Sequence, residues 1–241
     1  MPQPTPHPKA RRGASAPLEP ALPQLPARDA WPQRLTCLEG PEAAARLYEL
    51  ACTEQEGQDL WLRGASLPDE ALDGLRLTRC VLEDCRLTGA ALHGAAFTDC
   101  VWQRCELSGV RGWDSYFARG VWQGCRALGA TLSGARLNSQ QFTDCRLAAL
   151  VLDGAALDRV RFTRCDLSGA QLTAMRWKSL ALAEATLSAA NIAGTPLRGL
   201  DLRGCAFDAL TVGDTLRELR GAIVDEAQAA ALARLLGLDV R

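Results

Sequence analysis

From Leu62 to Val212 every fifth residue is large and apolar, with two exceptions, Gly112 and Ala127. The series begins Leu62, Leu67, Leu72, Leu77, Leu82, Leu87, Leu92, Phe97, Trp102, Leu107, and its phase does not slip. A helix asks for apolar residues every ~3.6 positions and a strand every second one. A period of five fits neither. It fits a chain that turns a corner every five residues and points one large side chain inward from each side. Four sides make a square coil of about 20 residues, and only a stack of coils buries a continuous core. Two residues before each step runs a second series, small or sulfur-bearing, that includes Ala65, Cys80, Cys85, Ala90, Ala95, Cys100 and Cys105.

Individual units read CRLTG, AALHG, CELSG, ATLSG, CDLSG and AQLTA. A small residue, a polar one, Leu or Phe, then two turn residues: over residues 60–212 this resembles the pattern of the pentapeptide-repeat family. The resemblance implies an all-β solenoid, a right-handed quadrilateral parallel β-helix. The chain departs from the family at the polar position, which is Asp or Asn only at Asp166, Asn191 and Asp201. Arg is commoner there, as at Arg76, Arg86, Arg126, Arg136, Arg146 and Arg176.

A solenoid has two open ends that need covers. Residues 35–59 hold the stretch PEAAARLYELAC, a short helix suited to the first end. Residues 213–241 hold Asp225 and Gln228 at capping-box spacing, followed by an Ala- and Leu-rich helix. Short helices are therefore expected to cap both ends. Leu232, Leu235, Leu236 and Leu238 exceed what a one-sided cap needs, and they are the candidate residues for capping and for a homodimer. Residues 1–34 carry nine of the twelve prolines and a net charge of +3, from Lys9, Arg11, Arg12, Arg28 and Arg34 against Glu19 and Asp29. Such a composition predicts a disordered arm.

Read in steps of 20, Leu82, Trp102, Trp122, Phe142 and Phe162 form an aromatic ladder at mid-stack. Trp122 is expected to fill the volume that Gly112 and Ala127 vacate. Eight of ten cysteines occupy the small inward slot, and Cys85, Cys105, Cys125, Cys145 and Cys165 stack in one column. Core filler is the preferred role, ahead of disulfides or metal, and free buried thiols point to the cytoplasm. The net charge of the chain is −1 and no apolar run spans a membrane.

No phosphate loop, metalloprotease helix, nucleophile elbow or deaminase signature is present. His7 and His93 lack ligand partners in sequence, and Asp153 and Asp158 lack a pocket to raise a pKa. The expectation is a protein that is not an enzyme, uses no cofactor or metal, and takes no small-molecule substrate. It is expected to bind a protein partner as a rigid scaffold. The candidate partner-binding residues are Arg111, Trp113, Asp114, Tyr116 and Arg119, since Trp, Tyr and Arg dominate interface energetics. Gly112 leaves two arrangements open: Trp113 outward, or a shifted chain with Trp113 in the core. The resemblance offers an alternative, a DNA mimic that binds DNA gyrase and protects it from quinolones. Residues 60–212 argue against it, with 17 Lys and Arg against 15 Asp and Glu. Direct nucleic-acid binding through Arg86, Arg126 and Arg146 is disfavoured by Glu106 and Asp166 in the same column.

Overall fold

The computed structural model describes residues 17–235 and 238–239. The chain is a parallel β-solenoid. Short strands stack on two sides, at a spacing of 20 after the first pair: β1 (Thr36–Glu39), β3 (Leu60–Arg63), β5 (Val81–Glu83) and β7 (Val101–Gln103) on one side, β2 (Glu56–Gln58), β4 (Arg76–Thr78) and β6 (Ala96–Thr98) on the other, and both sides continue in β8 (Tyr116–Gln123), β9 (Arg136–Thr143) and β10 (Ala156–Thr163). The register places Leu62 on Leu82, Leu82 on Trp102, Trp102 on Trp122, Trp122 on Phe142 and Phe142 on Phe162. Single bridges such as Arg86 to Glu106 and Ala91 to Arg111, again 20 apart, build the other two sides. The inward residues are buried or, as at Leu132, Trp177, Leu182, Phe207 and Val212, partly buried against the rest, so one apolar core runs the length of the stack.

The aromatic ladder is present. Trp102 and Trp122 stack at 4.6 Å with 1° between planes, and Phe142 and Phe162 at 4.7 Å. Beside it, the volume expected to be filled by Trp122 is not wholly filled. An apolar cavity of about 40 Å³ remains, lined in part by Trp122, Ala127, Leu132 and Phe142. Leu132 leans toward Gly112, where an added Cβ would stand 2.8 Å from Leu132 Cδ2. The neighbour thus takes Gly112's space, and Ala127 is left short.

The cysteine column is buried and every cysteine is free. Each Sγ of Cys85, Cys105, Cys125 and Cys145 donates to the backbone carbonyl 23 residues earlier, at 3.3–3.5 Å. Burial pushes the Cys80 thiol up to about 12 and the Cys100 thiol well above its ordinary value.

Helices close both ends. α2 (Gly40–Thr53), which follows a single helical turn α1 (Trp31–Arg34), buries Ala43, Leu47 and Leu50 on the first coil. Its C-terminal cap residue, Glu54, sits at φ 55°. At the other end, α3 (Glu226–Leu235) opens with a reciprocal capping box. The Gln228 N–H donates to Asp225 Oδ1 (2.9 Å), and the Asp225 N–H donates to Gln228 Oε1 (3.0 Å). Gln228 Nε2 then donates to the carbonyls of Leu202 and Cys205, both at 2.8 Å, and so pins the helix to the last coil. Leu232 packs against the core, while Leu238 is 56% exposed. Leu236 and the side chain of Leu235 lie outside the described residues.

The N-terminal segment differs from the sequence reading. Residues 17–34 do not hang free as a disordered arm: they form a strap along one outer wall, from the later coils back to the first. Residues 1–16 lie outside the described residues.

Candidate interaction surface

The coil that carries Gly112 keeps its phase. Gly112 points inward, and Ser115, fully buried, fills the small slot and donates Oγ to the Leu92 carbonyl (2.7 Å). Trp113 is therefore left outside rather than drawn into the core. It is 43% exposed and packs edge-on against His93 of the preceding coil, 5.3 Å between ring centres. Tyr116 starts β8 one side further on and is 42% exposed. Arg111 and Asp114 are also exposed, and Asp114 holds the turn at φ 56°.

Arg119 does not join them. It occupies a corner at φ 49°, and its fork turns along the stack to Asp99, with Nε and Nη2 each 2.7 Å from a carboxylate oxygen. The same device recurs at a spacing of 20. Arg79 grips Asp59, Arg104 grips Asp84 and Arg164 grips Asp144, every one of these residues at positive φ. Left-handed corners are costly for side chains with a Cβ, and here they aim an arginine straight at the carboxylate one coil before. The column Arg86, Glu106, Arg126 contributes one long pair, Arg126 to Glu106 at 3.6 Å.

A second surface went unread in the sequence. On the outer wall of β3, β5, β7 and β8, the outward slot holds Trp61, Val81, Val101 and Val121 in register. The strap covers this strip. Trp31 is 5% exposed and packs on Val81 and Val101 with Leu25, and its indole meets Trp61 at 5.9 Å. Two buried carboxylates fasten it. Asp99, otherwise held by Arg119, accepts the Gln24 N–H at 2.8 Å. Glu83, 5% exposed, accepts from Trp61 Nε1 (3.0 Å), Arg104 (2.9 Å), Arg63 (3.3 Å) and the strap's Arg28 (3.5 Å). Further along, Glu19 pairs with Arg161, and Ser179 Oγ donates to the Leu18 carbonyl (3.3 Å). There the strap walls a groove of about 920 Å³ with Arg161, Trp177, Lys178 and Arg203. The signal was present: three valines 20 apart in a column that continues with Gln141, Arg161, Ala181 and Asp201.

Among the described residues no group of three or more His, Cys, Asp or Glu side chains is placed to hold a metal ion. No helix among them is long and apolar enough to cross a membrane.

A solenoid built on a five-residue inward phase defines the class. Family models agree: one described as a pentapeptide repeat region matches residues 115–192, and one described as pentapeptide repeats (8 copies) matches residues 71–101. Over these residues the chain is a pentapeptide-repeat protein. Among solved structures it is similar to a trypsin-treated variant of QnrB1, described as a plasmid-mediated fluoroquinolone resistance protein. That likeness has 19% identity and a TM-score of 0.42, and covers 86% of this chain and 98% of that one. It is also similar to HetL, a pentapeptide repeat protein involved in heterocyst differentiation regulation from the cyanobacterium Nostoc sp. strain PCC 7120. The figures there are 18% identity and a TM-score of 0.36, over 70% of this chain and 91% of that one. No curated protein sequence matches the chain. Likenesses of this size carry no argument about partners.

Proposed function

We propose that the protein is a non-catalytic scaffold that binds a protein partner through the corner formed by Arg111, Trp113, Asp114 and Tyr116. The supporting observation is exposure. Trp113 and Tyr116 stand more than 40% exposed on a coil whose own inward residues, Ser115 and Phe117, are buried. Two large, stiff aromatic side chains on a rigid wall cost little entropy to dock. Arg119 belongs to the stack's own ion pairs and is left out of this surface.

Replacing Trp113 and Tyr116 together with Ala tests the reading. Both are half-exposed, so thermal stability should change by no more than about 1 kcal/mol, while the yield of captured partner falls. Full capture by the double variant removes this surface from consideration.

Gyrase binding by DNA mimicry is the weaker reading. A mimic needs a row of uncompensated negative charge. Here Asp59, Asp84, Asp99 and Asp144 are each covered by an arginine. A supercoiling assay with quinolone should show no rescue by micromolar protein. Rescue would reinstate the mimic.

A further inference from the structure

We propose that the strip Trp61–Val81–Val101–Val121, with Glu83 and Asp99 on its flank, is a docking site for a proline-rich peptide that runs extended into a helical turn and carries there an arginine three residues ahead of a tryptophan, and that residues 17–34 occupy it as an intramolecular competitor. This surface is separate from the Trp113 corner, and the two stand or fall independently.

The seated segment shows which chemistry the strip accepts. Trp31 supplies the buried anchor, and Arg28 the cation that reaches Glu83. Gln24 supplies a backbone N–H to Asp99, with Pro20 and Pro23 ahead of it and Pro26 after it in a stretch without helix or strand, before the helical turn that carries Trp31. Between anchors the strap is loosely held. Leu18 and Leu22 are 66% and 67% exposed, and Arg28 itself faces solvent for most of its side chain.

The wall beneath is complete without the strap. Strands β5, β7 and β8 pair coil to coil, and the strap joins none of their ladders. Lifting it breaks no strand pairing. What it would uncover is an apolar strip with two buried carboxylates. Such a surface does not stay bare in water, because a tryptophan and three valines in a row make an apolar patch that favours a cover. A competing peptide of matching chemistry supplies one. Glu83 retains Arg63, Arg104 and Trp61, and Asp99 retains Arg119, so the receptor side stays ordered during an exchange.

The test uses the full chain and a fluorescent synthetic peptide of residues 17–34. A strap joined directly to its site competes at an effective concentration of about millimolar, so weakening it should tighten apparent peptide binding by about tenfold or more. The full chain with Trp31→Ala and Arg28→Ala should therefore bind the peptide saturably, the wild type at least tenfold more weakly by the same measure. Adding Val101→Glu to the weakened chain should abolish binding, and a scrambled peptide should not bind. Should the double variant fold poorly, Gln24→Pro removes the N–H that reaches Asp99 while leaving Arg28 and Trp31 in place, and gives the same readout. Hydrogen exchange across residues 24–31 reports the strap directly. Release without peptide binding overturns the proposal, as does binding that Val101→Glu leaves unchanged or that the scrambled peptide matches. Continued protection in both weakened chains overturns it as well, since the strap is then a fixed wall. So does a weakened chain that pairs with a second copy by lending its strap and excludes the peptide.

Discussion

The amide oxygen of Gln140 occupies the space that a Cβ on Gly120 would need, one coil below it in the same column. From there it accepts the Trp122 indole N–H at 2.9 Å inside the core. Gly120 is thus the vacancy that lets a polar side chain enter an apolar stack and satisfy the indole donor that Trp122 brings with it. Gly120→Ala should evict the amide and orphan the indole, at a cost of about 1–3 kcal/mol. Once Gln140 is Ala the same change should cost far less, so a double-mutant cycle by denaturant melts should show coupling of about 1 kcal/mol or more. Additive effects would mean the two side chains act separately.

Asp99 sets a pH dependence. Burial raises its carboxyl, but the Arg119 fork, the Gln24 N–H and the charge of Arg79 outweigh burial and hold it below its ordinary range. A carboxyl lowered in the folded state contributes stability that is complete above the unfolded value, about 3.9, and that is lost as pH falls through the folded value. Asp59 and Asp84 are lowered for the same reason, with hydrogen bonds from Arg79 and Arg104 as the largest causes. Stability should therefore drop steeply below about pH 4. Asp99→Asn should flatten that slope, and at neutral pH cost about 1–2 kcal/mol through the half-buried Arg119 it leaves behind. Melts of the two proteins from pH 3 to 7 decide it; parallel curves would refute it.

Gln228 has two jobs that different substitutions separate. Gln228→Ala leaves the Asp225 cap but removes the acceptor for the Asp225 N–H, and it leaves the Leu202 and Cys205 carbonyls without their donor, a loss of about 2–3 kcal/mol. Gln228→Glu can keep the capping box but turns an acceptor toward both carbonyls. It should be the worse of the two at neutral pH, by thermal melt. Were Glu the milder change, the cap would outweigh the pin.

Assembly through the C-terminal end is a proposal that follows from Leu238, an exposed leucine beside α3. Light scattering of the wild type at high micromolar concentration should give twice the 25.9 kDa chain mass. Leu238→Glu should yield a folded monomer. A wild type that runs as a monomer leaves α3 as a cap alone.

The inward phase, the aromatic ladder and the capping box at Asp225 and Gln228 were legible because each follows a fixed spacing set by backbone geometry. The strap was not. Its anchors Gln24, Arg28 and Trp31 do not follow the five-residue period, and proline-rich composition alone argues for disorder. Its receptor was legible in principle, in Val81, Val101 and Val121, but attention to the inward phase hides what stands in the outward slot. Arg119 shows a second limit. Sequence places it beside Trp113 and Tyr116, but only the left-handed corner reveals that it points along the stack to Asp99. For the same reason the ion pairs appear at the corners rather than on the Arg86 face.

The strap's path also bears on synthesis. Its residues are made first, yet Leu18 meets Ser179 and Glu19 meets Arg161, 161 and 142 positions later. At ~5–20 residues per second, roughly 10 s separate the translation of the strap from that of its far anchor. Trp31 and Leu25 meet their strip once Val121 is made, so the strap docks from its Trp31 end and its Leu18 end stays unanchored until the later coils have stacked.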